Sequence, residues 1–289
     1  MSRDLNGRKI IITGGSKGLG FEIARRFIQE GANVMLCSRN ADDLEAAVDE
    51  LQRYVGDNQR LFSRSADVSD RLAVSELIRE TKNVLGGLHV LVNNAGIYGP
   101  KGAIEDIDWA EWTRAIEINL YGSVLMTQAV IPHFKSQGYG KIIQLSGGGA
   151  TNPLPRISAY AVSKAAIVRY AETIAEELRG TAIDVNCIAP GALNTGMLDE
   201  ILQAGPEVVG KDFYDKSLAQ KSEGGVPLAK GVDLAVFLAS DLSNGISGKL
   251  ISAVWDDWKK WPLHLEELST SDIFTLRRIV QEDRGISWE

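Results

Sequence analysis

Short apolar runs alternate along the chain with longer segments whose hydrophobic positions recur every three or four residues. The runs at 9–13, 33–38, 60–66, 88–92, 141–145, 182–188 and 249–254 are rich in Ile, Val and Leu and too short for helices, so they predict strands. Between them, the segments 18–30, 41–54, 70–85, 109–134, 158–179 and 232–240 have helical period; in the first, Ile23, Ala24, Phe27 and Ile28 share a face. Strands apolar on both faces and alternating with helices predict an α/β fold, a single doubly wound domain with a parallel seven-stranded sheet flanked by helices. No internal repeat or linker-like stretch interrupts the pattern.

One junction in this pattern carries chemistry. Thr13-Gly14-Gly15-Ser16-Lys17-Gly18-Leu19-Gly20 joins the first strand to the first helix. Glycines let a backbone approach a pyrophosphate, and a helix N-terminus offers free N–H groups and the positive end of its dipole. A tight turn alone would explain a glycine run. This run also stands at the first strand-to-helix junction, where a Rossmann-type sheet binds a dinucleotide. The second strand ends in Cys37-Ser38-Arg39, without a carboxylate. An acid there would hold the adenosine ribose and repel a 2′-phosphate. Arg39 instead offers a phosphate a charge-assisted fork, and Lys17 adds a second cation.

Tyr160 and Lys164 are four apart on a predicted helix and so share a face. A free tyrosine, with a pKa of about 10, is a poor acid–base group near neutrality, and a fixed ammonium beside it lowers that value. Alone, such a pair reads as a solvated helix face. Asn119 lies in the apolar stretch Ile116-Glu117-Ile118-Asn119-Leu120, where a polar side chain needs a partner, if only an interhelical hydrogen bond.

Taken in order, several motifs resemble the short-chain dehydrogenase/reductase family over roughly residues 8–255. They are Thr13 with the spacing Gly14, Gly18, Gly20; Asp67-Val68 after the third strand; Asn93-Asn94-Ala95-Gly96 after the fourth; Asn119; Tyr160 with Lys164; and Pro190-Gly191 with Thr195 after the sixth. The resemblance implies an oxidoreductase that interconverts a secondary alcohol and a ketone with NADP(H), NAD(H) being the weaker choice. It implies cofactor contacts from Gly14, Ser16, Lys17, Gly18, Leu19, Gly20, Ser38 and Arg39, an adenine edge held by Asp67 and Val68, and an adenosine side packed by Asn93, Ala95 and Gly96. Pro190 and Gly191 complete that site, and Thr195 meets the nicotinamide amide. By the same resemblance Tyr160 is the acid–base, Lys164 is its electrostatic partner and holds the nicotinamide ribose, and Asn119 holds a water that links Lys164 to solvent.

The pattern breaks in two places. The family's substrate-binding serine falls, by count from Tyr160, on Gly147, and the neighbouring Ser146 is the hydroxyl close by. Either the run Gly147-Gly148-Gly149 lets Ser146 take the role, or Tyr160 and backbone N–H groups hold the oxygen. The family's usual Val-Asp-Gly-Gly ending is also absent. Trp255, Trp258 and Trp261 stand there instead, spaced by three, at the start of an extension over 256–289. They predict a platform for a sugar-like substrate, a subunit interface, or packing on the domain itself. Residues 196–225 predict a substrate lid with Met197, Leu198, Ile201, Leu202, Phe213 and Tyr214 as its apolar positions, or an amphipathic surface helix.

The net charge of −7 argues against a nucleic-acid or anionic-membrane partner. Cys37 and Cys187 both sit in apolar runs and make no disulfide framework, and His89, His133 and His264 show no ligand spacing, so no metal is expected. With no signal-like N-terminus and no long apolar span, a cytoplasmic protein is expected, and the family implies a homodimer or homotetramer. Two rival readings remain at this point: a catalytically weak nucleotide-binding regulator, which the Gly147 departure favours, and an epimerase or dehydratase that re-reduces its substrate on bound cofactor.

Overall fold

The computed structural model describes residues 4–288. Strand and helix alternate as the hydrophobic pattern predicts: β1 (Lys9–Thr13), α1 (Gly18–Gln29), β2 (Asn33–Ser38), α2 (Ala41–Leu51), β3 (Leu61–Ser65), α3 (Arg71–Leu85), β4 (Val90–Asn93), α4 (Trp109–Ile116), α5 (Gly122–Gln137), β5 (Gly140–Leu145), α6 (Ser158–Glu177) and β6 (Ile183–Ala189). After them come α7 (Gly196–Ala204), α8 (Pro206–Val209), α9 (Lys211–Glu223), α10 (Leu228–Ala239), β7 (Leu250–Ser252) and α11 (Leu265–Thr270). Side-chain caps fix several boundaries. Asp70 accepts from the N–H groups of Leu72 and Ala73 to start α3, and the left-handed Gly86 ends it. Asn40 and Asp108 cap α2 and α4 in the same way.

All seven strands lie parallel in one sheet of order β3-β2-β1-β4-β5-β6-β7. Side chains alternate along each strand. Ile10 and Ile12 of β1 therefore enter the core under α1 and α10, while Ile11 enters the core under α3, α5 and α6. The chain reverses its direction of strand addition between β1 and β4. A crevice forms there beyond the carboxyl ends of the strands, where such sheets take their ligands.

Three details depart from the pattern. β3 is an edge strand and half exposed, with Phe62 39% accessible, so it is not apolar on both faces as the central strands are. The predicted helix 109–134 is interrupted by a π-helical turn at Glu117–Tyr121, which contains Asn119. Residues 196–225 form three short helices, separated by Gly205 and Gly210, both with positive φ.

The C-terminal extension lies on the domain. Trp258 packs at 5.1 Å from Phe237 of α10, and Trp261 at 4.4 Å from Phe274; both indoles are buried, whereas Trp255 is 86% exposed. Residues 271–276 run along the free edge of β7. Leu250 N–H donates to the Phe274 carbonyl, Lys249 Nζ donates to the carbonyls of Ser271 and Ile273, and Leu276 N–H donates to Glu172 Oε1 of α6. The chain thus covers its own sheet edge. The arrangement predicts that Trp258→Ala lowers the unfolding free energy by about 3–5 kcal/mol, the usual cost of emptying a large aromatic site. Trp255→Ala should shift it by less than about 0.5 kcal/mol. Urea unfolding followed by circular dichroism compares the two, and equal effects would contradict the packing.

Candidate active site

The site collects at the carboxyl ends of β1, β2, β4, β5 and β6. Thr13 closes β1, and its Oγ1 accepts from the N–H groups of Asn94 and Ala95 at 3.1 Å each. Asn94 Nδ2 returns two bonds, to the carbonyls of Thr13 and Gly14. This clasp locks the glycine loop to the segment after β4. It also explains the loop's glycines. A Cβ on Gly20 would lie 2.3 Å from the Gly14 carbonyl oxygen, and one on Gly14, where φ is +64°, would lie 2.9 Å from Ala95 Cα. Gly18 faces Thr195, the N-cap of α7, and buried Leu19 packs beside Gly231 of α10.

The loop passes a test for phosphate. Lys17 is the N-cap of α1 and makes no side-chain cap bond, so the first N–H groups of the helix keep their capacity to donate to an anion. Ser16 donates to Ser38 Oγ at 3.0 Å, which joins the loop to the end of β2. Arg39, next in line, is exposed and makes no ion pair among the described residues. Lys17 is held at 2.7 Å by Asp43.

Other predicted positions are fixed by packing. Asp67 is bonded by Ser69 and ion-paired with Arg114 of α4. Burial opposes its ionisation, but the Ser69 bonds and the guanidinium outweigh burial and hold the carboxyl below its ordinary range. Buried Val68 fills the space beside Gly122, and buried Asn93 donates to Ser123 and Thr127 of α5. Pro190 lies against Gly231, and Gly191, at φ +92°, leaves room for Val226 and Val254.

The structure brings Asn119, Tyr160 and Lys164 together. The π turn lets Asn119 bond Ile97 in both directions, Oδ1 from its N–H and Nδ2 to its carbonyl, each at 2.8 Å. Nδ2 also donates to Ser163 Oγ, which in turn donates to the Tyr160 carbonyl at 2.7 Å. Ser163 was not anticipated as part of the site, although its position between Tyr160 and Lys164 on one turn of α6 was a readable signal. A Cβ on Gly96 would come within 3.3 Å of Asn119 Oδ1 and 3.6 Å of Lys164 Nζ, so glycine keeps this centre open.

Lys164 is buried and donates to the Leu145 carbonyl at 2.7 Å. Burial pushes its pKa down to about 8. Its Nζ stands 5.6 Å from the centre of the Tyr160 ring, with no hydrogen bond to the hydroxyl among those described. The Tyr160 phenol accordingly lies above its ordinary value, because of burial first and the nearby Tyr98 phenol second. The expected lowering by Lys164 is therefore absent from the protein by itself: the ammonium is spent on a carbonyl, and burial dominates.

Gly147, in extended conformation, faces Tyr160 directly. A Cβ there would lie 2.5 Å from the phenol oxygen. The neighbouring Ser146 Oγ is enclosed and has no hydrogen-bond partner. Tyr98 meets the Tyr160 ring edge-on at 4.8 Å and belongs to one apolar cluster with Ile157, Ile201 and Val209, which brings α7 and α8 onto the tyrosine. Of the other apolar positions predicted for 196–225, Phe213 and Tyr214 join this cluster, and Leu198 is buried. A groove of about 420 Å³ between α1 and α10, lined by Glu22, Arg25 and Asp233 among others, contains none of these groups and lies apart from the chemistry.

A sheet with a glycine-loop cradle and a Tyr–Lys pair at its switch point defines a nucleotide-dependent oxidoreductase fold. The family model described as short chain dehydrogenase matches residues 8–205. A short-chain type dehydrogenase/reductase of Picea abies is 32% identical over 255 residues, covering 86% of this chain and 91% of its own. The 7alpha-hydroxysteroid dehydrogenase of Escherichia coli is 32% identical over 251 residues, covering 86% and 93%. Among solved structures, levodione reductase superposes with a TM-score of 0.79 at 26% identity, covering 90% of this chain and 99% of its own. NAD+-bound xylitol dehydrogenase follows at 0.77 and 25%, covering 86% and 98%. The chain belongs to the short-chain dehydrogenase family, whose members are oxidoreductases using nicotinamide cofactors on small alcohols and carbonyl compounds. No helix among the described residues is long and apolar enough to cross a membrane, and no group of three or more His, Cys, Asp or Glu among them is placed to hold a metal ion.

The buried ammonium yields a prediction. Its folded pKa of about 8 lies below the ordinary 10.5, so below pH 8 the folded state carries a charge that burial disfavours, at a cost of about 3 kcal/mol. Between pH 8 and 10.5 the unfolded chain binds more protons, and this group's contribution to stability rises. Lys164→Met should therefore raise the thermal midpoint at pH 7 by several degrees, and its advantage should shrink as the pH approaches 10. Parallel midpoints across that range, by calorimetry, would contradict the burial cost.

Proposed function

We propose that this protein is an NADP(H)-dependent oxidoreductase that interconverts a secondary alcohol and a ketone, with Tyr160 as its acid–base. The convergence of Tyr160, Lys164 and Asn119 beside the glycine-loop cradle carries this reading. When bound, the nicotinamide supplies or takes the hydride. The residues of the chain do the rest. Gly14, Ser16, Gly18 and Gly20 bring the backbone against the pyrophosphate, and Leu19, Pro190 and Gly191 shape the wall around it. Val68, Asn93, Ala95 and Gly96 line the adenosine side with Asp67, and Thr195 meets the carboxamide. Lys164 holds the nicotinamide ribose. Tyr160 delivers its proton to the carbonyl oxygen as that oxygen gains electrons, and burial that keeps the phenol protonated suits a donor. Lys164 returns a proton from solvent by way of a water that Asn119 would hold. Segment 196–225 acts as the lid.

Ser146 is proposed as the second hydroxyl on the substrate oxygen. Its buried, unpartnered Oγ supports the role, since an enclosed hydroxyl without a protein partner calls for another one. Ser146→Ala should then lower kcat by about 10²–10³. A loss under about tenfold would assign the oxygen to Tyr160 and backbone N–H groups, the reading that Gly147 favours.

Arg39 is the proposed anchor of the 2′-phosphate. It is free to bind, whereas Lys17 is shared with Asp43. Arg39→Ala should raise the KM for NADPH at least about tenfold, the scale of one charge-assisted bond, and leave the KM for NADH nearly unchanged. A native protein that uses NADH as well as NADPH would refute the assignment. The family resemblance supports a homodimer or homotetramer, and the two buried free thiols suit a reducing compartment such as the cytoplasm. The reaction itself is tested by NADPH consumption over ketones, keto-sugars and acyl thioesters. Tyr160→Phe should cost about 10²–10⁴ in kcat. Full activity without the phenol would refute the mechanism, and turnover without net NADPH consumption would favour the epimerase or dehydratase reading.

A further inference from the structure

We infer that the substrate carries its carbonyl on an uncharged hydrocarbon frame, cyclic or aryl, and that Tyr98 is the wall that selects it. The inference rests on the oxidoreductase reading above. Tyr98 lies on the segment after β4 that the Thr13–Asn94 clasp and the Asn119–Ile97 bonds hold in place. Its ring meets the Tyr160 ring edge-on at 4.8 Å and 61°, which places it beside the proposed proton donor. Around the two rings the cluster is hydrocarbon: Ile157, Ile201 and Val209 are buried, and Leu154 and Phe213 pack against them.

Two lysines beside this cluster are ion-paired. Lys101 Nζ is bonded to Glu200 of α7 at 3.0 Å and lies 5.5 Å from the centre of the Tyr98 ring. Lys221 of α9 holds Asp199 of α7 at 2.7 Å. The Arg156 guanidinium donates to the carbonyls of Glu207 and Val208 on α8. Lys101 and Lys221 would each have to leave a carboxylate to meet a charged substrate. A polyol would strand hydroxyl groups against hydrocarbon, which costs more than it returns. A ring ketone needs one polar contact, at its oxygen, and buries the rest. Gly147 lets the Tyr160 hydroxyl lie close against the turn after β5, where a Cβ would come within 2.5 Å of it. Trp258 and Trp261 are committed to the core, which leaves Trp255 alone of the three exposed for a sugar.

Each methylene buried against such a wall is worth about fourfold in affinity, so a six-carbon ring gains a hundredfold or more over an equally large polyol. The full-length protein is assayed with NADPH on cyclohexanone, acetophenone and D-fructose. Binding of the same three compounds to the protein saturated with NADP+ is measured by calorimetry. The expected kcat/KM for the two ketones exceeds that for fructose at least about a hundredfold. Tyr98→Ala should lower ketone kcat/KM at least tenfold, mainly through KM, and Tyr98→Phe should restore most of it, since the ring and not the hydroxyl forms the wall. Fructose used or bound as well as the ketones, or a Tyr98→Ala loss confined to kcat, would overturn the inference. Ketone binding without turnover would sink the reaction reading and leave the substrate class standing. Turnover confined to fructose would do the reverse.

Discussion

An ammonium group buried without a carboxylate partner among the described residues is the constraint on which the site depends. Lys164 donates to the Leu145 carbonyl, the last residue of β5, and so ties α6 to the end of the sheet. Such a group is costly to a fold and is kept where its charge has work to do. The groups close to it leave it room and carry a hydrogen-bond chain beside it. Gly96 withholds a side chain, the π turn at Glu117–Tyr121 presents Asn119, and Ser163 passes the hydrogen-bond chain to Tyr160. A protein selected for stability alone would gain from an apolar residue at 164.

The same economy governs the cofactor side. One threonine hydroxyl and one asparagine amide fasten the glycine loop to the segment after β4, and the fit is close enough that Gly14 and Gly20 admit no side chain. The segment so fixed also sets Tyr98 against the Tyr160 ring. The glycine loop and Tyr98 therefore share one support, and α7 to α9 pack against Tyr160 and Tyr98. Pre-organisation of this kind places the reacting groups without further ordering cost.

The fold was largely legible in the sequence because parallel strands buried on both faces leave an unambiguous apolar signal; Lys9–Thr13 and Asn33–Ser38 fall where the pattern puts them. The edge strand β3 was legible only in part, since one side of it faces solvent and Arg64 and Ser65 obey no burial pattern. The π turn was not legible at all: Ile118 and Leu120 keep helical spacing around Asn119, and only the backbone reveals the extra residue. In the site, the motif residues converge because they sit at strand ends and on one helical face. What the sequence could not tell was direction. It left open whether Ser146 or backbone N–H groups serve the substrate oxygen, whereas the structure sets Gly147 against the phenol and leaves the Ser146 hydroxyl buried without a partner. Nor did it show that Lys164 would spend its charge on a carbonyl, or that Trp258 and Trp261 would enter the core while Trp255 stays in solvent.

The central claim is that a hydride passes between cofactor and carbonyl carbon while the chain moves the proton. Label tracing tests it most directly. The protein is supplied with cyclohexanone and NADPH carrying deuterium at the transferable C4 position, in ordinary water. The account predicts an alcohol with one deuterium on the carbinol carbon and a hydroxyl proton from solvent. A product alcohol with hydrogen on that carbon under both labelled faces of the cofactor would contradict it.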